Sequence, residues 1–175
     1  INAEVLNAKA AHFAQLIIDE LRSAGGAYLL SAADCTIDYI ETLNEDKTAI
    51  VQSNPSYYRC YYKANDGERA IYQKFVARDQ VMHTSFDTAD VEDYAHDSKY
   101  YWMAVDEVSS EPKLMTLQDG KQYPCHWIDL AVSNQSSINY GNPEVGDDVV
   151  LLGHQVESGV EPTQDDLARQ YAIYI

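Results

Sequence analysis

The chain has 175 residues, with 12 Lys and Arg against 28 Asp and Glu, for a formal net charge of −16. That balance argues against a nucleic-acid binder, which needs a basic footprint on the phosphates, and against attachment to an anionic membrane surface. The length suits one domain or two small ones with a real core, and no apolar run nears the ~20 residues of a membrane-spanning helix.

The first residues, Ile1-Asn2-Ala3-Glu4, lack the basic and apolar regions of a signal peptide. The last, Tyr171 to Ile175, stop inside an apolar run, so a piece of a longer protein is expected. Residues 8–22 read two ways. Phe13, Leu16, Ile17 and Leu21 fit a short amphipathic helix. The Gly25-Gly26 turn and the following run Ala27-Tyr28-Leu29-Leu30 instead suggest a β-hairpin. Residues 34–43 are rich in β-branched and aromatic types and predict a strand. Residues 44–56, with Asn44-Glu45-Asp46-Lys47 and Ser53-Asn54-Pro55-Ser56, read as a linker around a short strand at 48–51.

Tyr57 to Lys63 is a strand by composition, closed by the turn residues Asn65-Asp66-Gly67. Phe75 to Gln80 leads as a turn into a strand with Val81, His83 and Ser85 on one face. An acidic loop at 87–97 precedes the longest signal in the chain, the aromatic strand Lys99 to Val108. Period two puts Tyr100, Trp102, Ala104 and Val108 on one face and Tyr101, Met103 and Val105 on the other. Bulk on both faces marks a central strand with Trp102 mostly buried, and Lys113 to Leu117 is its expected hairpin partner. Residues 121–142 look irregular, with Ile128 to Val132 as a run able to pair. Val145-Gly146-Asp147-Asp148 enters the strand Val149 to Gly153 and echoes the Phe75 to Val81 entry, too weakly for a repeat. A polar loop at 155–168 and a last strand at 169–175 complete the reading. The fold expected is mainly β: a small barrel or sandwich over 57–175, preceded by an extended hairpin region over 1–56.

Chemistry is sparse. The five His, His12, His83, His96, His126 and His154, share no metal-ligand spacing. Asp87, Asp90, Glu92, Asp93, His96 and Asp97 offer hard oxygen donors but lack the order of a calcium loop, so a solvated acidic loop is the better reading. Asp147 and Asp148 are adjacent and point to opposite faces of a strand, which disfavours a paired-carboxylate hydrolase. Cys35, Cys60 and Cys125 stand far apart and read as buried free thiols. Fourteen Tyr against three Phe favour aromatic interfaces. Trp102, Trp127 and the Tyr57-Tyr58 and Tyr61-Tyr62 pairs could stack on sugar rings, with core packing the commoner fate. Trp127, Tyr57, Tyr61 and Tyr140 are the candidate ligand or interface aromatics. No catalytic residue, metal or cofactor is expected.

Five stretches taken together resemble segments of large tail proteins carried by phages and prophages of gut Bacteroidetes. Asp19 to Gly26 with Leu29 to Ala33 is similar to their I-D-E-L-K-S-x-G-G-x-x-x-L-S-x-A stretch, and Tyr58 to Gly67 to their Y-[RK]-C-Y-F-x-A-x-D-G. Phe75 to Gln80 resembles F-x-x-G-D-Q, with Arg78 in place of Gly, and Lys99 to Val108 resembles K-Y-Y-W-R-x-V-x-x-V. Val145 to Gly153, followed by Arg169 to Ile173, resembles x-G-D-x-[IV]-V-x-L-G-[NH] and R-Q-N-A-I, with Tyr171 in place of Asn. The matches run in order over residues 13–175. The resemblance implies a virion component at the tail tip or fibre concerned with host attachment. It also implies other tail subunits as partners, a homo-oligomer, a possible host surface glycan, and no catalytic residues. A carbohydrate-binding module of a surface or secreted protein and a tail-associated hydrolase domain are the alternatives.

Overall fold

The computed structural model describes residues 21–24, 27–30, 33–65, 70–87, 97–134, 141–169 and 173–174. It is mainly β. Strands β1 (Leu21–Ala24) and β2 (Ala27–Leu30) are followed by β3 (Asp34–Thr36), β4 (Tyr39–Leu43), β5 (Tyr57–Lys63) and β6 (Asp79–Asp87). Then come β7 (Asp97–Val108), β8 (Lys113–Thr116), β9 (Gln122–Ala131), β10 (Asp148–His154), helix α1 (Gln164–Ala168) and β11 (Ile173–Tyr174). No helix among the described residues is long and apolar enough to cross a membrane.

The main sheet is antiparallel with the order β3-β10-β6-β7-β9-β5-β4, and β8 adds to β9. Its two ends are one continuous segment. β3 pairs with β10 and β4 pairs with β5. Between them the Ile37 amide donates to the Asp147 carbonyl (2.9 Å) and the Asp38 amide to the Tyr61 carbonyl (2.8 Å). Residues 34–43 thus close the sheet on itself as a small barrel, which removes the open edges of a flat sheet. A boundary at residue 56 does not describe this arrangement, because β3 and β4 belong to the same sheet as β5 to β10. The loop 44–56 is likewise no linker. It joins neighbouring strands and folds back on them through Val51 to Thr42 and Ser56 to Leu43.

The interior follows the alternation of the strands. Tyr101, Met103 and Val105 of β7 face inward with Phe75, Val81, Ile128, Leu130, Val149 and Leu151. His83 lies on the inner side of β6 beside Tyr101. Two expectations for β7 need correction. Trp102 points outward and is 42% exposed, because the inward set is the odd-numbered one. A bulge between Val105 and Glu107 then inserts one extra residue, and Val108 turns back to pack on the core. The hairpin partner of β8 is β9 rather than β7. The stretch expected to be irregular carries the ten-residue strand β9, which lies between β7 and β5. β8 caps part of the outer face, where Tyr61, Met115, Leu117 and Cys125 form a second small core.

The weak echo between the two strand entries corresponds to one repeated piece of geometry. In 76–79 the Asp79 amide donates to the Val76 carbonyl (3.2 Å), and the Asp79 carboxylate accepts from the Val76 amide (2.9 Å). In 144–147 the Asp147 amide donates to the Glu144 carbonyl (3.2 Å), and the Asp147 carboxylate accepts from the Glu144 amide (2.9 Å). The third residue of each turn has positive φ, 75° at Arg78 and 96° at Gly146. Its amide donates to a neighbouring segment, Arg78 to Val105 and Gly146 to Ile37. Each turn therefore delivers a buried Asp to the start of an inner strand.

β1 and β2 form the expected hairpin, and β11 pairs with β2 on its other side. Residues 8–20, the Gly25-Gly26 turn, most of the acidic loop and Tyr140 lie outside the described residues. The segment read as a polar loop holds α1, which begins at a capping box between Thr163 and Asp166.

Two measurements test this framework. Gly146→Ala forces a β-carbon into the left-handed region and is expected to lower stability by about 1 kcal/mol, while Arg78→Gly relieves the same strain, offset by unfolded-chain entropy, and stays within about 0.5 kcal/mol of wild type. Equal losses in urea unfolding for both variants would contradict equivalent turns. The second concerns pH. Burial pushes the thiol of Cys125 up to about 11 and raises the thiols of Cys35 and Cys60 and the phenols of Tyr58, Tyr61, Tyr62 and Tyr101. Groups raised on folding favour the native state while both states are neutral, and that advantage is lost once the unfolded chain alone ionises. Melting temperature is expected to be flat from about pH 7 to 8 and to fall from about pH 9 upward. A melting temperature unchanged to pH 11 would overturn the buried thiols and phenols.

Candidate binding site on the outer face of the barrel

The sequence candidates divide on the structure. Tyr61 is fully buried under β8, where its hydroxyl donates to Glu41 (2.8 Å). Its phenol is removed from any outward-facing surface. Trp127, its cross-strand partner on β9, is half-buried and covered by the Arg59 guanidinium at 3.9 Å. Tyr57 is half-buried with the Lys47 ammonium over its ring at 4.6 Å. These rings are occupied by cations of the same chain, and Tyr140 falls outside the described residues. Trp102, expected mostly in the core and named also among the aromatics that could stack on sugar rings, is 42% exposed on the barrel wall.

Arg59 and Lys47 serve a buried carboxylate. Asp129 has no solvent exposure. Arg59 donates to both of its oxygens, Nε to Oδ1 (2.7 Å) and Nη2 to Oδ2 (2.8 Å), and Lys47 stands 3.2 Å away. Lys47 also binds Asp106 and Glu107. Burial pulls its ammonium down, and the hydrogen bonds to these carboxylates outweigh that and raise it above the usual lysine range. The cluster is built to neutralise charge.

Asp147 is handled in the same way. It accepts from Lys99 (2.8 Å) and from the Tyr101 hydroxyl (2.9 Å), and Lys99 also reaches Glu144 (3.0 Å). His83 Nδ1 lies 2.8 Å from the Asp148 carbonyl, while its Nε2 lies 3.2 Å from Ser85 Oγ and 3.4 Å from Asp147. A nucleophile, base and orienting acid would need Ser and Asp on different ring nitrogens. Here both stand at Nε2, so this is not a triad geometry. Asp148 is exposed and accepts from Thr36.

The third cluster borders a depression. Asp79, without solvent exposure, accepts from Arg169 Nε (2.9 Å) and lies 2.8 Å from His154 Nδ1. Arg169 Nη2 bonds the other Asp79 oxygen and the Lys74 carbonyl. The second ring nitrogen of His154 is 3.3 Å from Asp166 of α1. The Thr163 backbone and side chain hold the Asp166 carboxyl below the usual carboxylate range. His154 is thus fixed at both nitrogens. Beside it, Gln80, Trp102, Leu152, Gly153 and Gln155 line an open depression of about 590 Å3.

The strands explain its shape. Trp102 of β7 lies directly opposite Met82 of β6, which lies opposite Val150 of β10, so one outward row crosses three strands. A register shift between Leu151 and Gly153 bends β10 where the depression opens. The Gln155 amide donates to the Arg78 carbonyl (3.0 Å), which ties the end of that bend to the first Asp turn. Gln80 ends the F-x-x-R-D-Q stretch and His154 the x-G-D stretch, but nothing in the sequence joined them to Gln155 or Trp102. The registers of β6 against β10 and β7 bring them together.

Among the described residues no group of three His, Cys, Asp or Glu is arranged to hold a metal ion. Cys35, Cys60 and Cys125 are buried and free, and their raised thiols make them poor nucleophiles. No family model, no curated protein and no solved structure matches this chain.

Removing Arg59 leaves a buried carboxylate with only partial compensation. Arg59→Ala is expected to lower unfolding stability by about 3–5 kcal/mol, whereas Asp106→Ala, which breaks an exposed pair with Lys47, costs under about 1 kcal/mol. Urea denaturation checks both, and equal effects would show that Asp129 is not the centre of the cluster.

Proposed function

We propose that this chain is a non-enzymatic structural and host-attachment module of a phage or prophage tail. The observation that carries the reading is how the stretches resembling tail proteins meet in the fold. Lys99 of the K-Y-Y-W stretch binds Asp147 of the x-G-D stretch (2.8 Å). Arg169 of the R-Q stretch binds Asp79 of the F-x-x-R-D-Q stretch, ninety positions away. The residues that carry the resemblance thus form one charge-neutralising framework, as expected of a scaffold. Where those stretches have Gly, Arg78 stands with φ of 75°, a conformation natural to Gly. The polar residues brought together here are spent on each other, and the barrel wall presents Trp102 beside its depression.

A second reading, a carbohydrate-binding module of a surface or secreted protein, is favoured by the same exposed Trp102. Antibodies raised against the purified chain separate the two. Decoration of tails on induced particles, with competition by the chain against particle adsorption, is the expected result. Label on the surface of uninduced cells and none on particles would replace the tail reading with the second one. Light scattering gives the assembly state, for which an oligomer is expected.

A further inference from the structure

Between β9, the turn after β7 and the segment 70–75 lies a buried network whose donors and acceptors are fixed by elimination. The Phe75 amide can only donate, and it reaches Gln73 Oε1 (3.2 Å), as does the Tyr62 hydroxyl. The other end of that side chain, Nε2, is therefore the donor. It points at the Trp127 carbonyl (3.1 Å) and at Ser109 Oγ (3.1 Å). The Trp127 amide donates to the same hydroxyl oxygen (3.1 Å). With both acceptor positions taken, Ser109 has its own proton left to give, and His126 Nδ1 receives it (3.1 Å). His126 Nε2 faces the Ile71 carbonyl (3.0 Å), which can only accept. The ring is thus neutral, with its proton on Nε2 and its lone pair on Nδ1. Ser109 and His126 are both buried.

We infer that this network is an acid-sensitive latch, in which a proton taken up at His126 Nδ1 releases the segment 70–75 from the barrel. A second ring proton would point at an oxygen that already receives two N–H donors. Making room for it turns out the Gln73 or the Trp127 donor, and a buried donor without an acceptor is costly. A buried imidazolium also needs a counter-charge. Among the described residues none stands at the ring. Its neighbours are Ser109 from the turn after β7, the Tyr62 ring of β5 at 5.8 Å between centroids, and the Ile71 carbonyl of the segment, with Gln73 behind Ser109. Burial raises the Tyr62 phenol, which therefore stays neutral. The charged side chains that flank these groups are cations turned elsewhere: Lys63 to Asp38 (3.5 Å), Lys74 to Asp34 (3.0 Å) and Lys113 to the Tyr61 hydroxyl (3.4 Å).

The direction follows from proton linkage. A histidine in the opened chain takes up a proton below about pH 6.5, while the closed network has no place for it. Protons therefore favour the opened form, and the latch is whole above that pH and weakens as the pH falls. Release is local, because the network fastens one segment and leaves the strand ladder intact. Ile71 and Lys74 line a depression of about 260 Å3 together with Cys35 and Tyr62, so opening the latch bares that end of the barrel. The device is independent of whether the chain serves a tail or binds carbohydrate.

Amide hydrogen exchange followed by NMR on the whole chain tests it. The Ile71 amide, bonded to the Ala64 carbonyl (2.8 Å), and the Phe75 amide report on the segment. The Val132 amide, bonded to the Ser56 carbonyl (3.0 Å), reports on the barrel. Protection at Ile71 and Phe75 is expected to hold from about pH 8 to 7 and to fall about tenfold for each pH unit below about pH 6, while Val132 stays protected. His126→Gln can still accept from Ser109 and donate to Ile71 but does not titrate, so it is expected to flatten that dependence. Should the variant fail to fold, long-range proton–nitrogen correlation of the wild-type ring decides alone, with the Nε2–H tautomer expected near about pH 7.5. An Nδ1–H tautomer there, an imidazolium at His126 while Ile71 and Phe75 remain protected, protection that ignores pH, an equal loss at Val132, or the same loss in His126→Gln would each overturn the latch.

Discussion

Three carboxylates that water scarcely reaches, those of Asp79, Asp129 and Asp147, set the terms on which this barrel closes. A buried carboxylate is tolerated when it is paired and hydrogen-bonded, and removing one partner costs far more than the pair contributes. Each of the three finds its cation at long range: Arg169 for Asp79, Arg59 for Asp129, Lys99 for Asp147. The Asp129 cluster bridges β5 and β9, and Lys47 fastens the 44–56 loop to it. The Asp147 cluster joins the turn before β10 to β7. The Asp79 cluster carries the segment after β10 back to the turn before β6. Strand pairing alone would permit slipped registers. These clusters tolerate one register, because any other strands a charge.

Two of the three carboxylates arrive by the same device. In Val76-Ala77-Arg78-Asp79 and Glu144-Val145-Gly146-Asp147 the Asp side chain closes the turn on its own first amide, while its remaining acceptor capacity faces inward. Each such Asp also has a histidine from the other inner strand beside it, His154 of β10 at Asp79 and His83 of β6 at Asp147. β6 and β10 are neighbours, so the two turns brace one strand pair from its two sides.

Much of this architecture was legible where period two was clean. Val81 to Ser85 and Lys99 to Val105 alternate as strands do, Tyr57 to Lys63 has the composition of one, and all three are strands. What escaped was decided by partners far away in the chain. β9 contains Pro124, His126 and Asp129, each of which argues against a central strand. Pro124 sits where β9 pairs with the short β8. His126 is satisfied by Ser109 and the Ile71 carbonyl, and Asp129 by Arg59 and Lys47. No local pattern announces those partners. The face of Trp102 was undecidable for a related reason. β7 has bulk on both sides, and period two separates two faces without saying which is covered. The bulge at 105–107 then broke the phase for Val108.

The same ambiguity explains why a ligand site would lie outside the barrel. Phe75, Tyr101, Met103, Ile128, Leu130 and Leu151 fill the interior as closely packed side chains, and a barrel this small keeps its inside for its own core. Recognition then falls to the outer wall, and the wall is not uniform. Over β5 and β9 it is sealed by β8, with Tyr61, Met115, Leu117 and Cys125 packed beneath. What remains exposed there, Trp127 and Tyr57, is topped by Arg59 and Lys47. Over β6 and β10 the outward residues Met82 and Val150 are themselves buried, and the row ends at Trp102 of β7, 42% exposed beside the β10 bulge. An aromatic that served only packing would gain by burial, roughly 25 cal/mol for each Å2 of apolar surface withdrawn from water. Trp102 forgoes part of that gain where the register shift bends β10.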